Sequence, residues 1–528
     1  MVLRIGIDVG GTHTDAVILD EGNNLIGAVK TRTTPDVTSG IVEALNKVLE
    51  TSGVDPEEIR AAMLGTTHCT NAIVQRRDLA RTALIRVGRP GAEAIEPLVE
   101  WPTELREAIG DIRYLVHGGH EYTGEEIVPL DEEEVREVAK ELRERRVESV
   151  AVCSIFSPVN ADHEERVAEI LREELGPDIS ITLSHEIGSI GLLERENSAA
   201  LNAAVVKVAG RAIDAFERAM VDAGIEGAAM YLSQNDGTLM SADYARRYPI
   251  FTVASGPTNS IRGAAFLTEI KDGIVVDIGG TTTLVGALVK GFPRESAIAV
   301  EIGGVRTNFR MPDLIAIGCG GGTLVKRRDG EIEIGPESLG YELVSKGLAW
   351  GGDTLTTTDI ALAAGYAHIE DPRCDPSRLR GLDPDFVSKA VRKIIERVEE
   401  SVDRIKTSPE PMPVVLVGGG GILIPPSYYD RLKGASKVLR PSHYQFANAI
   451  GAAIAQVSGQ IDRVYSLEAM RREDAMRDAK DSAIRRAIEA GASPSTVQVV
   501  EVEEIALPYL PGNAVRIRVK AAGDLAMR

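Results

Sequence analysis

Two short segments carry the same chemistry-bearing residues at the same spacing. Ile7–Val17 reads IDVGGTHTDAV and Val276–Gly286 reads VDIGGTTTLVG. Each is an apolar strand with an aspartate near its end, Asp8 or Asp277, followed by an apolar residue, Gly-Gly-Thr-x-Thr and a second apolar strand. Glycine lets backbone N–H groups come close to phosphate oxygens and form an anion-binding concavity, and threonine hydroxyls add donors. This reading assigns Gly10, Gly11, Thr12, His13 and Thr14 to one phosphate-facing turn. It assigns Gly279, Gly280, Thr281, Thr282 and Thr283 to a second. An aspartate at a strand end orients a Mg²⁺-bound water or accepts a proton from an attacking group. Asp8 and Asp277 are therefore the candidate catalytic residues and Mg²⁺ ligands, joined by Asp15 as a third catalytic candidate. A single copy reads as readily as a plain hairpin; two copies, each opening a half of the chain, favour phosphate.

Two more glycine clusters follow strands. Val414–Pro425, VVLVGGGGILIP, runs an apolar strand into Gly418–Gly421. The bare backbone of Gly418, Gly419 and Gly420 can pass under a planar base and ribose; a packing turn is the alternative. Ile315–Val325, IAIGCGGGTLV, places Gly320, Gly321 and Gly322 either along phosphates or in an ordinary bend. No Gly-Lys-Ser/Thr ends a glycine loop, so there is no Walker A motif, and no GxGxxG has an acidic residue at the dinucleotide spacing. His117 and His120 bracket two glycines, which disfavours a helical metal site and favours a turn with packed or exposed imidazoles. Cys69 lacks a matched His/Asp arrangement and reads as a packed thiol. Arg195, between Glu194 and Glu196, reads equally as pocket lining or as a solvated ion-pair face.

The elements that must position these residues alternate. Leu3–Val9, Ala16–Asp20 and Leu25–Lys30 read as strands around turns at Gly10–Asp15 and Glu21–Asn24. Ile41, Leu45 and Val48 mark one face of a helix over Val37–Thr51. Helices are expected at Glu132–Arg145, Asp162–Glu174 and Ser198–Ala223, and strands at Ser149–Ile155 and Ile179–Leu183. This alternation predicts α/β packing. Ser255–Phe266 and Ala447–Ala455 are rich in small residues, which lets two helices approach closely, as a hinge crossing requires. The expected division is a first lobe at 1–268 with an insertion at about 80–245, a second lobe at 269–465, and a small α+β appendage at 466–528. In the appendage, a charged helix at Arg471–Ala490 precedes strands at Thr496–Ile505 and Ala514–Val519.

Of 528 residues, 44% are hydrophobic and 26% charged, ordinary for a soluble globular chain. Fifty-nine basic against 79 acidic residues give a net charge of −20, which argues against nucleic-acid binding and against an anionic membrane surface. No apolar run approaches the length of a membrane span, and the N-terminus enters a strand without a signal-peptide pattern. Four scattered cysteines, Cys69, Cys153, Cys319 and Cys374, form no CxxC pair and point to a reducing, cytoplasmic setting.

The order of these motifs resembles the actin, sugar kinase and heat-shock-chaperone ATPase superfamily. That resemblance implies two ribonuclease-H-like lobes closing over ATP, with Asp8–Thr14 and Asp277–Thr283 as phosphate loops and Gly418–Gly421 as the adenosine motif. A narrower resemblance covers most of the chain. GGTHTD at 10–15, GTTHCTN at 65–71, SHEI at 184–187, SGP at 255–257, DIGGTTT at 277–283, IGCGGGT at 317–323, GPESLG at 335–340 and the Gly351–Asp359 segment are similar to the hydantoinase A/oxoprolinase family. Family likeness implies ATP- and Mg-dependent opening of a cyclic amide, or ATP-driven carboxylation, within an oligomer completed by a B-type subunit. It implies substrate contacts at Thr66, Thr67, His68 and Asn71. Leu284 departs from the pattern, standing where the family often has an aspartate. A small-molecule kinase and a nucleotide-switched activator of a partner protein are the rival readings.

Overall fold

The computed structural model describes residues 2–10, 12–32, 37–296, 300–328, 330–468, 470–508, 510 and 512–526. Its first sheet starts from the hairpin Leu3–Val9/His13–Leu19. Leu25–Arg32 adds antiparallel on one side, and Ile59–Thr66 and then Ala229–Ser233 add parallel on the other. Every residue of Leu3–Val9 is buried, because both faces of the sheet are covered. Helices Val37–Ser52 and Leu192–Asp222 pack on one face and helix Ala447–Ala453 on the other. That two-sided burial explains a strand that reads as a continuous apolar run rather than an alternation.

The second sheet repeats the plan. Gly273–Ile278 forms a hairpin with Thr283–Val289, which pairs onward with Phe292–Pro293 and Leu314–Ile317. Met412–Val417 and Ala435–Leu439 add parallel on the opposite side. An antiparallel trio extended by parallel strands beside its first member is the ribonuclease-H-like arrangement, present here twice. Helix Pro384–Ile405 supplies much of the second core.

A third, all-parallel sheet takes the order Ile112–His117, Thr82–Arg89, Ser149–Ser154, Ser180–Leu183. Helices Glu132–Glu144 and Asp162–Leu175 cover one side and Leu192–Asp222 the other. This sheet lies within the expected insertion. Ala229–Ser233 and Leu239–Ser241, also inside that expected range, return to the first sheet. The long helix starts at Leu192, six residues before the expected Ser198, behind Gly191 at φ 117°. Its charged opening turns looked like solvent-facing chain because their buried partners lie far away in sequence.

The two small-residue helices, Ser255–Thr268 and Ala447–Ala453, cross at backbone contact. A Cβ on Gly263 would enter the carbonyl of Ala447, and one on Gly451 the carbonyl of Asn259. The tail enters the first sheet: Val457–Ser466, Ala514–Gly523 and Gln498–Ala506 extend it to nine strands, with helix Arg472–Glu489 packed on them. Among the described residues, no helix is long and apolar enough to cross a membrane.

Candidate functional site

The two Gly-Thr turns are built alike and face each other. Gly10 N–H donates to the His13 carbonyl at 3.0 Å, and Gly279 N–H to the Thr282 carbonyl at 2.9 Å. A Cβ on Gly280 would stand 2.9 Å from Thr12 Cγ2 and 3.1 Å from Thr12 Oγ1, so the tips of the turns share one crevice. Thr281 and Thr282 are exposed there, Thr12 is half-buried, and exposed His13 bonds Thr12 Oγ1 through Nδ1 at 3.1 Å. Gly11 lies outside the described residues. Thr14 and Thr283 are buried beneath the tips, and the Thr283 hydroxyl donates to the Cys319 carbonyl. Thr283 thus braces its turn instead of presenting a hydroxyl to the crevice, a correction to the sequence reading.

The register sets a row of charges. Asp8 pairs across with Asp15, and Asp15 with Lys30, so the three side chains share one face of three adjacent strands. Lys30 Nζ lies 2.5 and 2.6 Å from the two Asp15 oxygens. In the second lobe Asp277 pairs across with Leu284, which therefore occupies the position of Asp15. Burial, then the charges of Asp15 and Asp277, push Asp8 up to about 8 against the pull of Lys30. Burial raises Asp15 despite Lys30, and raises Asp277 despite a 2.5 Å hydrogen bond from Ser260 Oγ. The influence of Asp277 on Asp8, and of Asp15 and Lys30 on Asp277, is the electrostatic sign that the halves meet at their acidic side chains. Three acidic side chains share one ammonium in a crevice walled by glycine. That donor set fits a hard divalent cation, which takes oxygen ligands.

The two remaining glycine clusters lie beside the second turn but do different work. Gly321 and Gly322 N–H donate to the carbonyls of Gly279 and Gly280 at 2.9 and 2.6 Å, and Gly320 N–H donates to Thr323 Oγ1 at 2.7 Å. Their donors point into the protein, so Gly320, Gly321 and Gly322 back the second turn rather than offering N–H groups to a ligand. Behind them, Thr357 and Thr358 at the start of helix Thr357–Ala363 bond the carbonyls of Gly320 and Gly321. Thr356 and Asp359 cap that helix reciprocally, which locks the support. Gly418, at φ 79°, lies against Asp277, whose carboxylate a Cβ there would strike. Gly419 faces open space and Gly420 packs on Ile278. The Arg440 guanidinium stands over the rings of Tyr444 and Tyr429, at 5.3 and 5.9 Å, beside Gly421.

Thr66 ends the strand next to Leu3–Val9, opposite Val9, and its hydroxyl is bonded to His68 Nδ1. Burial lowers the His68 pKa. Thr67 is half-buried, and Asn71, exposed one helical turn on, reaches Thr67 Oγ1 at 3.4 Å. Gly65 packs against Asp8, so the segment that carries these four candidates begins beside Asp8, with Thr66 buried and Asn71 exposed. Cys69 is buried and its thiol is pushed up to about 11, which removes it as a nucleophile.

Arg195 and Glu196 are neither pocket lining nor solvated. Arg195 bonds Ser184 Oγ and the Ser154 and Ser189 carbonyls, while Glu196 pairs with fully buried Arg86 at 2.5 Å. Two groups of histidine and carboxylate converge in the insertion, His120/Glu126/His163 and His117/Asp131/Glu134. Gly119 N–H donates to His163 Nδ1, so the neutral ring carries its proton on Nε2, where it donates to Glu126. A metal on that nitrogen would force the proton onto Nδ1, facing another donor. Glu134 is already engaged by Arg89 and His117. His120 is buried against the His163 ring and His117 is half-buried, and the sequence reading missed the Glu126, His163, Asp131 and Glu134 that join them. The site residues that the sequence reading missed are Lys30, Asn259, Ser260 and Asn448. Asn259, Ser260 and Asn448 lie in the two small-residue helices, which the sequence reading took only as a hinge, and Lys30 lies outside every motif. Asn259, fully buried beside Gly65, has no partner for its Oδ1 among the described residues.

Comparison with known proteins agrees with this architecture. The chain is 28% identical over 396 residues to the acetophenone carboxylase gamma subunit of Aromatoleum aromaticum, covering 69% of this chain and 53% of that one. It is 28% identical over 389 residues to the caprolactamase alpha subunit of Pseudomonas jessenii, covering 69% and 54%. The chain thus spans about half the length of these curated relatives. The crystal structure of the ATP-dependent caprolactamase from Pseudomonas jessenii superposes with a TM-score of 0.77 at 20% identity, over 98% of this chain and 87% of that one, and shares the fold. Family models match at residues 4–175, the hydantoinase/oxoprolinase N-terminal region, and at 195–405, hydantoinase/oxoprolinase. These two matches take in both Gly-Thr turns and the cluster that backs the second, and the chain belongs to the hydantoinase/oxoprolinase family.

Proposed function

We propose that this chain is the ATP-dependent subunit of a cyclic-amide hydrolase, acting on a hydantoin, 5-oxoproline or a lactam. An amide carbon resists attack because resonance feeds electrons into its carbonyl. When bound, Mg·ATP supplies a transferable phosphoryl group and the charge that stabilises its transfer. The carbonyl oxygen takes the γ-phosphoryl as ADP departs with the electrons of the broken P–O bond. Water then adds to the carbon, the ring nitrogen takes a proton and leaves as the C–N bond opens, and a second water releases phosphate from the resulting acyl phosphate. Asp8 and Asp277 hold the metal and its waters, and Asp15 keeps Lys30 beside them. Thr12, Gly280, Thr281 and Thr282 cradle the phosphates, while Gly418–Gly420 and the Tyr444–Arg440–Tyr429 stack border the adenosine. Thr66, Thr67, His68 and Asn71 form the substrate edge. Positioning and charge stabilisation account for catalysis of this kind.

The observation that carries the reading is the meeting of two duplicated Gly-Thr turns over Asp8 and Asp277, supported by family membership. We take 1–268, with its insertion, and 269–465 as the lobes, with Val457–Ser466 crossing back into the first sheet, and 466–528 as a unit docked on that strand. A B-type partner completes the reaction in an oligomer, in the cytoplasm. The similarity to a carboxylase subunit favours one second reading, in which the activated oxygen belongs to a ketone or bicarbonate.

The test is ATP turnover with hydantoin, 5-oxoproline and caprolactam, with and without the polypeptide that co-purifies, and mass detection of the opened ring. Asp8→Asn is expected to abolish turnover, by about 10³-fold or more. Stimulation only by a ketone with bicarbonate would select the carboxylase. A stable phosphorylated product, or slow turnover indifferent to every substrate, would overturn the hydrolase reading.

A further inference from the structure

Lys30 belongs to none of the repeated motifs, yet it occupies the centre of the crevice's electrostatics. Its charge reaches all three carboxylates, Asp8, Asp15 and Asp277. Its ammonium is shared between both oxygens of Asp15, whose side chain is 9% exposed against 29% for Lys30. The base of the pair is therefore fixed in the sheet while the lysine stays partly exposed. Nζ also stands 5.7 Å from the ring centre of Phe446, in the segment that enters the helix crossing from the second lobe. In the second lobe Leu284 replaces the anchoring aspartate, so this cation is supplied from one side only.

We propose that Lys30 is a catalytic residue whose ammonium contacts the non-bridging oxygens of the transferred phosphoryl group while Asp15 keeps it aimed. This rests on the reading of the crevice as an ATP site. A lysine ammonium has three donors and Asp15 is a doubly engaged acceptor, so Lys30 can retain one contact to Asp15 and direct others outward. It transfers no proton; it offsets the charge that gathers on the phosphoryl oxygens as the bond to ADP lengthens. ADP lacks that phosphoryl group, so the proposal separates the two nucleotides.

The experiment measures Mg·ATP and Mg·ADP affinity by calorimetry for the full chain, K30M, K30R and K30M/D15N, with folding checked by circular dichroism. The expected result is that K30M weakens ATP by about 10- to 100-fold, as the loss of a charged hydrogen bond does, and leaves ADP nearly unchanged. K30R should retain part of the ATP preference. Were Lys30 only the neutraliser of Asp15, K30M/D15N would regain ATP affinity; the proposal expects it not to. Equal ATP and ADP responses in K30M, or recovery in the double variant, would overturn the assignment of Lys30 alone. Failure of the unaltered chain to bind either nucleotide would overturn the ATP reading itself, and Lys30's role with it.

Discussion

Asp8 is a buried carboxylate with two like charges near it and a cation already committed to Asp15. Burial first, then Asp15 and Asp277, hold its proton up to about 8, whereas the unfolded chain releases it near pH 4. Between those values the folded state binds the extra proton. Stability from this group is therefore full below pH 4, falls as pH rises through the interval, and levels off above about 8. In metal-free buffer, Asp8→Asn should be more stable than the parent at pH 8, on the order of 2–4 kcal/mol. The advantage should shrink towards zero as pH falls to about 4. Thermal unfolding at several pH values checks this; a variant less stable at pH 8 would mean that Asp8 is paired by something other than Lys30. Added Mg²⁺ should raise the melting point of the parent at pH 8 more than that of the variant.

At the scale of elements, the crossing of Ser255–Thr268 and Ala447–Ala453 joins the lobes. Gly451 sits on the Asn259 carbonyl and Gly263 on the Ala447 carbonyl, so neither helix tolerates a side chain at the contact. The same crossing carries the site: Ser260 Oγ bonds both Asp277 and Asn448 Oδ1, at 2.5 and 2.7 Å. Gly451→Ala is expected to separate the helices and lower stability by roughly 1–3 kcal/mol, the usual cost of overpacking. Because Ser260 moves with its helix, nucleotide affinity should fall as well. Urea unfolding and calorimetry report the two effects; an unchanged unfolding midpoint would show that the crossing is loose.

Across the whole molecule, the tail is wired to the first sheet by a buried ion pair. Lys520 Nζ lies 2.9 Å from Asp236 Oδ2, with both side chains under 5% exposed. Asp236 also accepts from Thr238 and Gln460, and Thr238 bonds Ser458. Lys520→Met leaves Asp236 buried and unpaired, so the expected loss is about 3–5 kcal/mol. K520M/D236N should recover part of it, because the uncompensated charge is gone. Equal losses in the single and double variants, measured by denaturant unfolding, would assign the cost to packing instead.

Local pattern was enough to read the duplicated turns, the extent of Leu3–Val9, Val37–Ser52 and Asp162–Leu175, and the close helix crossing. Each of these depends on backbone freedom or on hydrophobic period, which neighbours in sequence determine. Tertiary structure alone decided that Lys30 completes the row begun by Asp8 and Asp15, because cross-strand register sets that neighbour. It also turned the donors of Gly320–Gly322 inward and buried Glu196 on an arginine 110 residues away. It carried the tail's strands into the first sheet as well. A hydrogen bond's direction and a charge's burial depend on groups that only the folded chain brings near.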